Sequence, residues 1–430
     1  MIAEYGITKK PLDFRYPEKI SQEDKDEFLI KVHKGFRLGQ DEIIKEIIPL
    51  LKKREALLKD ELEARKIKNK QLLEEKYNQK IKVEYKIRIL RHFADFIAWQ
   101  IFKNDYYKAR RFFSGSRSRP DLLHSNLISV LYAVESFHSE DEKNFALISD
   151  LTSFIDIGDI LLVNGKDIFI VECKQGDVQK KVYDFIDELW KDDFDVKNID
   201  FSDKSLKFFD QVERTLRQME RGGKVVDFLK NETGTDPFSK MKINVFEAEK
   251  PNEYYFDYLM NLIEESKIND STYGSVEGII YIGVYRNTKL LPSRFIFDYI
   301  VQRIYEKYII VDYLTILNIP LKEPLFFKPF SNEIIFDLIF GRIKIFLAVN
   351  LEALIELFNK KGIEAKWLSR KETHKLLSSK RKYKPFIFKN QAIKIKVKEN
   401  FRTLGDSFLI YLLLDNIIPT SFVERYKFLK

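Results

Sequence analysis

The sequence predicts a mixed α/β protein with more than one domain, and three observations lead to this fold class. Charged residues typical of helices fill positions 41–102, with almost no glycine among them. Residues 158–174 read as two short apolar strands around a turn. Beyond residue 250, helical patterns alternate with apolar runs typical of strands. A chain of 430 residues also exceeds the size of one ordinary hydrophobic core.

The first predicted region, residues 1–121, is mainly helical. Pro49 interrupts the helical pattern early, and the leucines in LLKKREALLKDELEARK do not sustain a heptad over three repeats. This pattern favours a long solvated helix, or a helical hairpin whose second arm is KIRILRHFADFIAWQIF. A self-associating coiled coil is the alternative.

The second predicted region, residues 122–250, contains the strand pair. A helix over LLHSNLISVLYAVESF precedes it, and the apolar segment FALISDLTSFIDI is expected to be a strand that leads into it. A helix over SLKFFDQVERTLRQMERGG follows, and we expect Gly222 and Gly223 to end that helix. MKINVFEAE reads as a further strand. The third region, residues 251–430, is expected to be a second α/β region that recognises a target or a partner.

The composition limits the classes of function. The net charge of +8 permits a polyanionic partner. The single cysteine, Cys173, excludes an internal disulfide framework and a cysteine-rich zinc site, and it suits a reducing cytoplasm. The most apolar run, FLIYLLL, stops at Asp415 and is too short to cross a bilayer, so we expect a cytoplasmic protein without a membrane partner. No glycine-rich phosphate loop is present, which argues against an ATPase motor.

Two basic segments are candidates for nucleic-acid contact. In YYKARRFFSGSRSRP, arginines are interleaved with aromatic residues, a combination that suits phosphate contact and base stacking. A solvated loop between helices explains this segment equally well. RKETHKLLSSKRKYK is a second basic run, for which a solvated face is the alternative. The predicted nucleic-acid-binding residues are Arg110, Arg111, Arg117, Arg119, Lys380, Arg381 and Lys382.

The strand pair GDILLVNGKDIFIVECKQG carries charged side chains in apolar surroundings. Strand side chains alternate between faces, so Glu172 and Lys174 share one face and Cys173 points to the other. If Gly165 and Lys166 form the centre of the turn, Asp159 lies directly opposite Glu172. If Asn164 and Gly165 form it, the two carboxylates are diagonal neighbours on the same face. Both registers bring the carboxylates together unless a bulge intervenes.

Two adjacent carboxylates repel each other unless a proton or a cation lies between them. Mg²⁺ or Mn²⁺ would satisfy Asp159 and Glu172, with the backbone carbonyl of Cys173 and water as further ligands. Lys174 could then orient the attacking water for phosphodiester hydrolysis. A turn-capping aspartate and a surface Glu–Lys ion pair are the ordinary alternative. Asp156 is a rival first ligand, but regular alternation places it on the opposite face.

With Asp159 at the start of one strand and Glu172-Cys173-Lys174 at the end of the next, the segment resembles the PD-(D/E)xK nuclease superfamily. The resemblance implies a restriction-endonuclease-like mixed sheet over residues 122–250, with Asp159 and Glu172 as metal ligands and Lys174 as a catalytic residue. It also implies a glutamine on the following helix, for which Gln211 is the first candidate and Gln218 the second. An acidic residue on the preceding helix sometimes adds a metal ligand, and Glu135 occupies that place.

Three features depart from the family pattern. Gly158 stands where a proline often precedes the aspartate, and Thr215 stands where one branch of the family has a tyrosine four residues after the glutamine. A long stretch, from Asp177 to Ser205, separates the motif from its helix and indicates an insertion.

These observations predict a Mg²⁺- or Mn²⁺-dependent endonuclease that hydrolyses DNA, with prokaryotic restriction or anti-phage defence as the setting suggested by analogy. A non-catalytic nucleic-acid-binding or scaffold protein that retains the fold is the rival from another class. An RNA-processing nuclease is a third reading. Double-strand cutting needs two sites, so a homo-oligomer is a candidate assembly, and a second defence-system protein is a candidate partner.

Overall fold

The computed structural model describes most of the chain. The described residues are 20–115, 122–124, 126–165, 167–173, 181–186, 206–231, 233–238, 240, 242–244, 252–378, 385–397 and 400–427. The fold is mixed α/β with several small antiparallel sheets. The chain divides into two compact units: residues 1–245 with 319–327, and residues 246–318 with 328–430.

A helical hairpin begins the first unit. Helix α1 spans Gln22–Lys66 and helix α2 spans Lys70–Ile101. Ser21 and Asn69 cap their N-termini by accepting hydrogen bonds from Asp24 N and Leu72 N. The two helices pack against each other, and their buried apolar side chains join the hydrophobic core of the following sheet. The hairpin expected from the sequence is therefore present, and it shares a core with the region that we expected to be separate.

A three-stranded antiparallel sheet follows, in the order β1-β2-β3. Its strands are β1 (Asn144–Ile148), β2 (Ile160–Asn164) and β3 (Asp167–Val171). The outer edge of β1 is covered by α1, because the Gln40 side chain donates to Ala146 O at 3.0 Å and accepts from Ile148 N at 2.9 Å. This side chain replaces a fourth strand along part of that edge.

The remaining elements of the first unit surround this sheet. They are α3 (Tyr106–Arg111), α4 (Leu127–Glu140), α5 (Leu206–Asn231), and a small pair, β4 (Thr233–Thr235) and β5 (Lys242–Asn244). A 3₁₀ turn over Leu122–His124 replaces the start of the helix that we expected from residue 122. The expected strand over residues 145–157 contains β1, a 3₁₀ turn at Ser149–Leu151 and a loop.

Gly222 and Gly223 do not end α5, contrary to our expectation. The helix continues to Asn231. Val225 and Phe228 lie beyond the glycines and are almost fully buried. Glycine costs only about 1 kcal/mol in a helix interior, which burial of two large apolar side chains outweighs.

The second unit is built on a four-stranded antiparallel sheet in the order β6-β7-β9-β8. Its strands are β6 (Ser271–Val276), β7 (Ile280–Arg286), β8 (Tyr308–Asp312) and β9 (Ile343–Asn350). Helix α6 (Phe256–Asn269) packs over Gly274, and α7 (Leu290–Ile304) packs over Gly283. Since Gly274 is opposite Ile282, the two glycines face opposite sides, and one helix lies on each face.

A second, smaller sheet completes this unit. Its central strand is β12 (Gln391–Val397). Three strands pair with β12: β10 (Ala365–Trp367), β11 (Ile387–Phe388) and β13 (Asn400–Thr403). The accompanying helices are α8 (Asn332–Ile339), α9 (Leu351–Lys360), α10 (Arg370–Ser378), α11 (Ser407–Leu409, continued by a π-helical turn) and α12 (Pro419–Glu424). In the described part of the chain, no helix has the length and apolar character needed to span a bilayer.

Candidate functional site

The candidate site lies at the open end of the β2–β3 hairpin, where Gly158 sets the path of the chain. Its φ of +76° belongs to the left-handed region that glycine tolerates best. A Cβ at this position would lie 2.5 Å from Ile170 Cγ2, so any other residue would force Ile170 to shift. The resulting turn lets Asp159 N donate to Val171 O at 2.8 Å.

The strand pairing places the two carboxylates at the same end of the hairpin. The register pairs Asn164 with Asp167 and Ile160 with Val171. This is the first of the two registers considered above. The regular ladder ends at Ile160 and Val171, and Asp159 and Glu172 are the next residue on each strand.

Hydrogen bonds hold Asp159 against the strand that carries Glu172. The Asp159 backbone bonds to Val171, the residue before Glu172, and Asp159 Oδ2 accepts from the backbone N–H of Cys173, the residue after it, at 2.7 Å. Both carboxylate residues are half-buried. Cys173 packs against the hydrophobic core, as expected for a small apolar residue. Lys174 lies outside the described residues, so its role stays a prediction.

Tyr183 lies near both carboxylates, and the sequence analysis did not identify it. Burial raises the pKa of the Tyr183 phenol, and the charges of Glu172 and Asp159 raise the same pKa further. The phenol is therefore close enough to both groups to sense their charge, and it stays protonated at neutral pH. The pattern of VYDFIDELW predicts the helical turn, in which Val182, Phe185 and Ile186 are the buried apolar residues, but it does not indicate that Tyr183 lies beside the hairpin.

Helix α5 supports the helical turn at residues 181–186. Val182 and Phe185 pack with Val212 and with the aromatic residues at the start of α5. Gln211 is adjacent to Val212 and is half-buried, and its backbone carbonyl accepts from Thr215 Oγ1 at 2.9 Å. The structure thus joins the helix carrying Gln211 to the turn carrying Tyr183, while a contact between Gln211 and the carboxylates stays a prediction. Gln218 is also half-buried on α5.

Glu135 lies at the other end of the sheet. It is exposed on α4, and its charge acts on Arg37 and Asp41. Arg37 donates to the carbonyl of Asn144, and Asn144 pairs with Asn164 at the turn end of the hairpin. That end is roughly 16 Å from Asp159 at the usual rise along a strand. The placement does not support Glu135 as a ligand in a site formed by Asp159 and Glu172.

Asp156 and Arg111 make structural contacts instead of lining the site. Asp156 Oδ2 accepts from the backbone N and the hydroxyl of Ser114, at 2.7 and 2.6 Å. Arg111 is buried and forms an ion pair with Asp236 at 2.6 Å. Burial in this pair removes Arg111 from the surface, which does not fit the nucleic-acid contact predicted for it.

The other predicted nucleic-acid contacts are only partly described. Arg110 is half-buried and donates to Phe113 O. Arg117, Arg119, Lys380, Arg381 and Lys382 lie outside the described residues.

The donor set at the hairpin fits a small, hard divalent cation. Among the described residues, no group of three or more His, Cys, Asp or Glu side chains is arranged to hold a metal. Mg²⁺ does not require three, because proteins commonly bind it through one or two carboxylates, with water and substrate phosphate completing the octahedron. A carboxylate oxygen that accepts one N–H keeps a second lone pair, so the bond to Cys173 N is compatible with coordination.

Comparisons of the chain with protein-family models, with curated proteins and with solved structures found no significant match. The functional assignment therefore depends on the hairpin's own geometry and on general chemistry.

Proposed function

We propose that this protein is a metal-dependent nuclease that hydrolyses phosphodiester bonds, with DNA as its substrate. The observation that carries the proposal is the attachment of Asp159 to the residues on both sides of Glu172. This attachment holds two acidic residues at the same end of the hairpin. Two such carboxylates are the ligands that a hard divalent cation prefers, and a cation with open coordination positions is what phosphodiester hydrolysis uses.

The residues have distinct parts in this proposal. Asp159, Glu172 and the backbone carbonyl of Cys173 would hold Mg²⁺ or Mn²⁺. When bound, the cation supplies a Lewis acid for a phosphate oxygen and lowers the pKa of a water molecule. Lys174 follows directly in the chain and would orient the attacking water. Tyr183, whose raised pKa keeps it protonated, can donate a hydrogen bond to a phosphate oxygen or to a carboxylate.

A second function is supported by the hydrogen bond between Asp159 and Cys173. In this alternative, the Asp159 carboxylate has a purely structural role: it accepts the N–H of Cys173 and closes the end of the hairpin. The protein would then be a non-catalytic nucleic-acid-binding protein that has the same fold. Metal binding needs the negative charge of the Asp159 carboxylate, whereas closing the hairpin needs only an oxygen that accepts a hydrogen bond. Asparagine at position 159 keeps an oxygen that can accept from Cys173 N and removes the charge, so it separates the two functions.

Cleavage assays with Asp159→Asn and Glu172→Gln test the proposal. We expect each variant to lose roughly 100-fold or more of the activity on plasmid DNA with Mg²⁺ or Mn²⁺, equivalent to a rise of about 2.7 kcal/mol in the barrier. The matched control is Glu135→Gln, which removes an exposed carboxylate at the other end of the sheet. It should cleave like the wild type.

Two results would contradict this proposal. One is equal cleavage by the wild type and both site variants. The other is no cleavage of plasmid, single-stranded DNA or structured RNA by any folded sample, which would favour the non-catalytic function. Cleavage confined to structured RNA would keep the chemistry and replace DNA by RNA as the substrate. A restriction or anti-phage role in the prokaryotic cytoplasm is the setting that we infer for the DNA-cleaving form.

A further inference from the structure

One face of the small sheet in the second unit carries a row of lysines and an exposed phenylalanine. In the strand pairing, Lys366 is opposite Lys394 across β10 and β12, and Lys396 is opposite Phe401 across β12 and β13. Alternation along β12 puts Lys394 and Lys396 on the same side of the sheet. We call the surface formed by Lys366, Lys394, Lys396 and Phe401 the lysine face.

The lysine face places like charges next to each other. Lys366 and Lys394 occupy directly paired positions, an arrangement that is unfavourable between cations. Lys366 forms an ion pair with Glu364 at 3.1 Å. Hydrogen bonds from Ser369 hold the pKa of the nearby Glu372 low, and the charges of Lys394 and Lys366 lower it further. These two carboxylates offset part of the positive charge.

Helix α10 extends the positive surface. It packs against the same sheet, where Thr373 Oγ1 accepts from Ala392 N at 3.1 Å. The helix exposes three further basic side chains, Arg370, Lys371 and Lys375. The basic groups of α10 and the lysine face together outnumber Glu364 and Glu372, so the surface is complementary to a polyanion.

Phe401 adds an exposed aromatic ring to the lysine face. Its side chain is 51% exposed although it is a large aromatic residue. The ammonium group of Lys394 lies over the ring, 3.6 Å from its centroid, and that of Lys396 lies 5.9 Å from the centroid, so a stacking base would use the part of the ring that these lysines leave exposed. An accessible aromatic ring beside cations is the combination that binds single-stranded nucleic acids, since an unstacked base packs on the ring and phosphates pair with the cations.

We propose that the lysine face binds a single strand of nucleic acid. Phosphates would contact Lys366, Lys394 and Lys396, and a base would stack on Phe401. The choice of nucleic acid over other polyanions depends on the nuclease function proposed above. Binding at this face does not require cleavage, so the two proposals can fail separately.

The test is binding of a fluorescent single strand of about 20 nucleotides to the full-length protein in EDTA, followed by anisotropy at several salt concentrations. The charge variant combines Lys394→Glu with Lys396→Glu, and the stacking variant is Phe401→Ala. We expect the charge variant to bind at least about 10-fold more weakly and to lower the slope of log affinity against log salt by about 1.4. Phe401→Ala should weaken binding by about 5-fold or more with an unchanged salt slope.

Arg402→Glu is the control for position, and it is compared with Lys394→Glu alone so that both variants carry one charge reversal. Arg402 is exposed on the same strand as Phe401 but is paired with the buried Ile395, so it points to the other side of the sheet. Its charge acts on Tyr426 instead. This variant should bind like the wild type, and circular dichroism should show that every variant is folded.

Several results would overturn the proposal. Unchanged binding by the folded charge variant would remove the lysine face from the interaction. Equal weakening by Arg402→Glu would show that net charge, and not this face, controls binding. Competition by polyglutamate as strong as that by an unlabelled oligonucleotide would indicate an acidic polypeptide as the partner. None of these results depends on cleavage, whereas the variants at Asp159 and Glu172 test cleavage alone.

Discussion

Hydrogen bonds fix Asp159 at the open end of the β2–β3 hairpin. Its backbone and side chain bond to Val171 and Cys173, so the residue is fixed relative to Glu172 before any ligand binds. Such preorganisation lowers the cost of gathering two negative charges around a cation. Residues fixed in this way suit a metal site better than side chains that must reorient on binding.

Gly158 is the residue whose substitution should damage the site most without touching a charged group. Gly158→Ala forces an alanine into a φ of +76° and places its Cβ 2.5 Å from Ile170 Cγ2. We expect a loss of about 2–4 kcal/mol in the free energy of unfolding, measured by urea denaturation.

Gly222→Ala is the comparison for this prediction. Gly222 lies inside α5, and a Cβ there would meet no atom within 4 Å. This variant should be more stable than the wild type by up to about 1 kcal/mol. An equal change in the free energy of unfolding for Gly158→Ala and Gly222→Ala would contradict the strained turn that we describe at Gly158.

At the scale of single elements, the segment 319–327 is attached to α2 through a neutral histidine. His92 is 3% exposed, and its Nε2 accepts from Leu325 N at 2.7 Å. Phe326 stacks on Phe93 in the same contact, with ring centroids 3.9 Å apart. Burial lowers the pKa of His92 to about 3, because the charged imidazolium would lose its hydration.

This histidine should make the fold sensitive to acid. The unfolded chain binds a proton near pH 6.5 and the folded chain only near pH 3, so the stabilisation is complete above about 6.5 and is lost as the pH falls toward 3. At pH 4.5 the loss should be about 3 kcal/mol. His92→Gln keeps an oxygen that can accept from Leu325 N without a titrating group, so its free energy of unfolding should fall less between pH 7 and pH 4.5. Identical slopes for the two proteins would contradict this account.

Sequence patterns predicted the elements whose signals are local. Helical composition predicted the α1–α2 hairpin, and two short apolar runs around a turn predicted the β2–β3 hairpin. Register was narrowed to two choices, because either pair of residues could form the centre of the turn. The structure selects the register in which Asn164 is paired with Asp167.

Long-range contacts could not be predicted in this way. Nothing local in the sequence indicates that Gln40 covers the edge of β1, or that Tyr183 lies near Glu172 and Asp159. The expected end of α5 at Gly222 failed for the same reason, because the packing of Phe228 outweighs the local preference of glycine. Arg111 was expected at the surface, and its ion pair with Asp236 spans 125 residues of the chain.

At the scale of the whole molecule, the chain forms two units that do not follow sequence order. Residues 319–327 belong with the first unit, although the residues on both sides belong with the second. We expected three consecutive regions, with a helical arm separate from the sheet. Instead, buried residues of the arm, such as Ile47 and Ile97, lie in one core with Leu147 and Leu161 of the sheet. The candidate metal site therefore belongs to a unit that includes the helical arm.

The measurement that tests the central claim most directly is a crystal structure of the protein soaked in Mn²⁺, with anomalous scattering used to locate the ion. We predict one Mn²⁺ peak that contacts a carboxylate oxygen of Asp159 and one of Glu172, at about 2.2 Å. The same soak of the Asp159→Asn variant should show no peak there. A wild-type crystal that holds Mn²⁺ elsewhere and none between Asp159 and Glu172 would contradict the account of the hairpin as a metal site.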